Sequence, residues 1–214
     1  MATYIPAALN DPSLFFDILT YTGNMSTDRD ITGLDFQPNF VWVKNRSTTN
    51  YHNLKDSVRG TSVVIFANNS DAEISDSDRV TAFLSNGFTV SNSADTNGSG
   101  NSIVAWCWKA SGSTASNTNG TNITSTVDAN TTSGFSIVSW TGDNSGSSTV
   151  GHGLGKTAEF VAIKNRADSA NWQVKHKDNS ANASQSLDAT DAESSRAGST
   201  NGGIADLSGT TTFG

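Results

Sequence analysis

The chain has 214 residues, with 13 Lys and Arg against 20 Asp and Glu, a formal net charge of −7 and only 15% charged residues. That balance excludes a general affinity for nucleic acid or an anionic membrane surface, because backbone phosphates must be met by clustered cations. The one cysteine, Cys107, excludes an intrachain disulfide and a thiolate zinc site, and no run reaches the ~18 consecutive apolar residues of a membrane span.

Ser, Thr, Asn and Gly supply the polarity, residues that suit turns and the wet faces of sheets and that leave helices weak, so the composition predicts an all-β protein. Residues 1–13, MATYIPAALNDPS, lack the basic region and apolar core of a signal peptide. Tyr4, Ile5 and Leu9 surround Pro6, which favours an extended backbone, and the segment is expected to order by docking on another protein.

Residues 14–110 read as a first β-sandwich. Strands are expected at 15–23 (FFDILTYTG), 39–46 (NFVWVKNR), 62–67, 79–84, 87–91 and 102–109, separated by Asn, Asp, Ser and Gly clusters. In the last of these, Ile103, Ala105 and Cys107 alternate with Val104, Trp106 and Trp108, so both faces are apolar and the strand is expected to be central. Phe40 and Trp42 share one face of their strand and Val41 and Val43 the other, which reads as core packing rather than sugar stacking.

Residues 111–133, rich in Ser, Thr, Asn and Gly, read as a linker with Ile123 and Val127 as its only large apolar side chains. Residues 134–214 then restart the pattern. GFSIVSWTG at 134–142 matches FFDILTYTG, EFVAIKNR at 159–166 matches NFVWVKNR, Gly153-Leu154 matches Gly33-Leu34, and Asn171-Trp172 matches Asn50-Tyr51, with an offset of about 120 residues. After Asp178 the pattern dissolves, and no counterpart of the 102–109 strand is found. The expectation is therefore tandem antiparallel β-sandwich units. The second is incomplete, continuing past residue 214 or taking its missing edge from another chain.

No catalytic, cofactor or metal site is nominated. GHGLGKT at 151–157 echoes a phosphate-binding loop, but it is one residue short and a strand is expected to follow it. Glu73, Glu159 and Glu193 lie far apart, which argues against a glycosidase acid pair, and His52, His152 and His176 show no metal-ligand spacing. The acidic stretches at 28–30 and 188–193 read as solvated loops, with calcium the alternative. Lys44 and Arg46 recur as Lys164 and Arg166; they are candidates to contact a ligand or subunit, while their recurrence favours a strand-ending turn.

The runs YTGN, FQPNFVWVKNR, DSVRG, NGFTV and NGSGNSIVAWCWKASG, followed by GFSIVSWTG and VGHGLGKTAEFVAIKNR, together resemble a family of virion and tail-fibre-like structural proteins of marine cyanophages and related bacteriophages. The resemblance spans most of residues 15–178. It implies a concanavalin-A-like jelly roll without enzymatic residues, made in the host cytoplasm and carried in the virion. The expected role is a fibre, knob or other appendage of tail or capsid surface, attached by its N-terminus. Expected partners are other capsid or tail proteins, further copies of the chain as a homo-oligomer, and a host-surface glycan. The alternative is a carbohydrate-binding adhesin module, and behind that a glycoside hydrolase.

Overall fold

A computed structural model describes residues 11–180, 183–195, 204 and 207–214. Asp11 caps a one-turn 3-10 helix, Pro12–Leu14, by accepting from Ser13 N at 3.1 Å. The first unit follows as β1 (Phe16–Thr22), β2 (Arg29–Thr32), β3 (Phe40–Asn45), β4 (Asn53–Asp56), β5 (Gly60–Phe66), β6 (Ile74–Ser75), β7 (Val80–Leu84), β8 (Gly87–Val90), a single turn α1 (Ala94–Asn97) and β9 (Ser102–Trp108). β1-β9-β3-β4-β5-β6 form one antiparallel sheet and β2-β8-β7 a second.

The sandwich core lies between these two sheets, and alternation explains how it fills. Val41 and Val43 of β3, Ile103, Ala105 and Cys107 of β9, and Ile31, Val80, Phe88 and Val90 of the smaller sheet are buried together with Leu34 and Phe36. β9 is central as the sequence predicts. It pairs antiparallel with β1 over Phe16↔Trp108 to Thr22↔Ser102 and with β3 over Phe40↔Trp108 to Asn45↔Ile103. Gly23, which ends the aromatic-Thr-Gly corner, lies so close to the backbone before β9 that a Cβ there would meet Gly98 O at 2.1 Å.

The second unit comprises β10 (Ala115–Asn117), β11 (Ser125–Asn130), β12 (Phe135–Trp140), β13 (Val150–Gly151), β14 (Phe160–Ile163), β15 (Gln173–His176), β16 (Ala183–Ser186), β17 (Ser194–Ser195) and β18 (Thr212–Phe213). They form the sheets β10-β11-β12, β13-β18 and β14-β15-β16-β17. Ile123, Val150, Ile204, Leu207 and Phe213 make its core, with Val138 and Trp140 of β12 and Val161 and Ile163 of β14 packed against them.

Residues 111–133 are no linker, because β10 and most of β11 lie there and β11 pairs with β12 over six residues. Ile123 and Val127 anchor the segment in the interior, and buried Asp128 accepts from Ser111 N at 2.8 Å and from Ser57 Oγ at 2.6 Å, tying it to the first unit. The repeat also does not dissolve after Asp178, since β15, β16 and β17 continue in the order of β4, β5 and β6.

Candidate functional site

Two groups of charged side chains, several of them buried, gather around the β4–β6 meander. Lys55 shares the inner face of its sheet with its register partner Val41, where a cation has no place unless paired. Its side chain is fully buried, donating to Thr61 O at 2.7 Å and to Asp76 Oδ2. Asp76 in turn accepts from Arg79, whose Nε reaches Asp95 Oδ2 at 3.0 Å and whose guanidinium lies over the Phe66 ring at 5.4 Å. Burial pushes the Lys55 ammonium below its ordinary value against the pull of Asp76. Burial alone would raise Asp76, but Lys55 and Arg79 outweigh it and hold the carboxyl below the carboxylate range.

Asp76, Asp78 and Arg79 line an open polar cleft of about 300 Å³ with Ser62, Ser75 and Ser77. Burial and then the neighbouring Asp76 push the Asp78 carboxyl up. Every residue that lines the cleft is polar or charged.

The second group joins the two units. Arg59 binds Asp56 Oδ2 at 2.6 Å, Glu73 Oε2 at 3.1 Å and Leu54 O at 3.0 Å. Glu73 also receives Arg166 in a fork, Nε at 2.9 Å and Nη2 at 2.7 Å. Burial opposes the charge on Glu73, yet the two arginines prevail and its carboxyl stays below the usual range. Backbone bonds run beside the fork: Glu73 N donates to Arg166 O at 3.0 Å and Ala170 N to Ser70 O at 2.9 Å. Trp172 is 6% exposed; it packs among Leu54, Ile65 and Ala67 with Phe40 and Trp42 alongside, and its Nε1 donates to Phe66 O at 2.7 Å. Phe135 stacks on Trp108 with ring centroids 6.0 Å apart. The outer face of the six-stranded sheet is therefore the seam between the units.

The four cations singled out in the sequence divide by repeat. Lys44 Nζ donates to Thr48 O at 2.8 Å and Asn50 O at 3.2 Å, closing its own loop, and Lys164 Nζ does the same through Asn165 O and Ala170 O while also reaching Ser70 O at 3.1 Å. Arg46 is exposed, whereas Arg166 belongs to the seam. Tyr4, Ile5, Pro6 and Leu9 lie outside the described residues. GHGLGKT runs from β13 into an irregular loop that leads to β14, so no helix terminus faces it. Among the described residues no three His, Cys, Asp or Glu side chains gather as a metal site would require.

Glu73 belongs to a further repeated segment, which the strand motifs obscure and which does not itself reveal the joint. SDAEIS at 70–75 is repeated as TDAESS at 190–195, and Lys55 as Lys175, at the same spacing of 120 that separates Phe40 from Phe160. Lys175 is again buried and donates to Ala183 O at 2.8 Å.

A family model described as a domain of unknown function, DUF7483, matches residues 11–213. No curated protein and no solved structure matches the chain. A match of that extent makes the chain a member of the DUF7483 family, across both units.

Proposed function

We propose that this DUF7483 member is a non-enzymatic structural protein of a bacteriophage virion, a fibre, knob or other appendage of tail or capsid surface attached through its N-terminal segment. The observation that carries the reading is the seam. Glu73, Arg59, Arg166, Lys164 and Trp172, the groups best placed to present chemistry, are spent on joining two β units by ion pairs, carbonyl contacts and a buried indole. Such a joint fastens the two units to each other, which suits a projecting element under load better than a binding groove that must open. The resemblance of the repeated segments to phage virion proteins supplies the setting.

The test is immunogold labelling of purified particles of the phage whose genome encodes the chain, with antibody raised against the recombinant protein. Label at one position on tail or capsid is expected. Particles that carry none, from lysates that contain the protein, would overturn the reading.

A further inference from the structure

The loop that echoes a phosphate-binding motif is organised around a buried histidine. His152 follows β13 and is 2% exposed; its N donates to Thr211 O at 3.0 Å and its carbonyl accepts from Ser136 Oγ at 2.6 Å. Its ring stacks on Phe213 of β18, with centroids 6.4 Å apart and planes at 18°. Nδ1 accepts from Leu154 N at 3.2 Å, closing a turn through Gly153, whose φ is +76°. Nδ1 therefore carries no proton. The proton of the neutral ring sits on Nε2, which is buried with no hydrogen-bond partner among the described residues.

A second proton has no place on this ring. It would set an Nδ1–H against the Leu154 N–H, two donors facing each other, and would leave a cation in the interior. No neighbouring element brings a carboxylate to receive it. β12, β14 and residues 207–214 contain no charged residue, and neither does β10, whose Asn117 side chain abuts Gly151. β11 bonds to the loop as Ser125 Oγ donates to Gly151 O at 2.7 Å, but its one acid, Asp128, is turned to Ser57 and Ser111. On the loop itself Lys156 is exposed, and Glu159 at its far end binds Lys177 at 3.1 Å. Burial pushes the imidazole below its ordinary value, against a weaker pull from the Gly209 backbone.

We propose that His152 is an acid-sensitive latch on the second unit: protonation expels the ring from its seat and frees β18, with the rest of 207–214, from the core. β18 pairs with β13 over two residues, Val150↔Phe213 and Gly151↔Thr212, and Phe213 packs on the His152 ring as well as on Trp140. Because the folded value is depressed, the latch holds above the ordinary histidine value and loosens as pH falls below it toward the folded one. A ring that regains its ordinary value of 6.5 on release favours the open state by up to about thirtyfold at pH 5. The first unit has no such device. By the repeat, Thr32 stands in place of His152, exposed at the end of β2 before the matched Gly33-Leu34. The carboxyls of Asp76 and Glu73 are held low, so their pairs stay ionised through the window in which the histidine titrates. Acid thus opens one segment before it unfolds the chain.

The test is amide hydrogen exchange of the intact protein at pH 7 and pH 5, with rates corrected for the intrinsic pH dependence of exchange. Exchange in 207–214 is expected to quicken at least tenfold at the lower pH while β9 keeps its rate. His152→Asn should abolish the response, since an Asn Oδ1 can accept from Leu154 N without titrating, as Asn165 Oδ1 accepts from Ala167 N at 2.9 Å. Equal rates at both pH values, the same quickening in β9, or a response that survives in His152→Asn overturns the proposal. If the variant is already open at pH 7, the imidazole of the parent protein decides, followed by NMR. A His152 titration that coincides with the opening of 207–214 supports the latch, and one that falls at a different pH overturns it.

Discussion

At the scale of single residues, Lys55 and Asp76 show a charge held where the sheet expects an aliphatic side chain. Breaking such a pair leaves an uncompensated buried ion, whereas replacing both partners removes the need for pairing. Asp76→Asn is expected to lower unfolding stability by about 3–5 kcal/mol in urea titration, with Lys55→Met combined with Asp76→Leu recovering most of it. An Asp76→Asn protein as stable as the parent would show the pair to be incidental. The folded-state depression of the Asp76 carboxyl fixes the sign of the pH response: its contribution is present above the ordinary aspartate value and is lost as pH falls through the lower folded value. Cys107 offers a second reading at this scale. It is fully buried on the inner face of β9, and burial pushes its thiol up to about 12. An aromatic disulfide reagent at pH 8 should leave the native thiol unmodified and titrate it fully in denaturant; rapid reaction of native protein would place Cys107 outside the core.

Among elements, the informative contrast is between strands that alternate strongly and strands that do not. β3 and β9 were legible because β-branched and aromatic residues repeat with period two across them, and the matched NFVWVKNR and EFVAIKNR runs placed β14 as well. β10 and β11 were hidden because ASN and STVDAN are written in turn residues, and what orders them is pairing with β12 and the buried Asp128 carboxylate. The seam was illegible for a related reason. Trp172 matched Tyr51 in position, but Tyr51 is half-exposed with its ring tilted against Phe66 while Trp172 crosses to the other unit, a choice made by tertiary contact alone. Trp172→Ala should cost about 3–5 kcal/mol, as large core aromatics do, and should loosen the second unit first. Exchange rates in β9 unchanged while β15 exchanges faster would show this; uniform acceleration would mean that the units melt as one. Arg166 is 42% exposed, so the Glu73 fork is worth less, on the order of 1 kcal/mol after solvent screening. Because the Glu73 carboxyl is depressed in the folded protein, that contribution is present above the ordinary glutamate value and fades as pH falls through the lower folded value.

For the whole molecule, the first unit carries its own interior. The residues of its core run only from Ile31 to Cys107, with no side chain borrowed from the second unit. A fragment of residues 11–112 is therefore expected to unfold in one cooperative thermal transition, and the absence of one would show that the second unit completes the fold. The fragment also bares the outer face of the six-stranded sheet, so it should self-associate, as sedimentation would register. The tryptophans give the seam a further use. Trp42, Trp106 and Trp108 share the sheet face that meets the second unit, Trp172 lies against it, and Trp140 sits by the second core, while the first core contains none. Intrinsic emission thus comes from the joint and the second core, and a red shift on perturbation would time the parting of the units, because the core between the two sheets of the first sandwich holds no tryptophan to report on it.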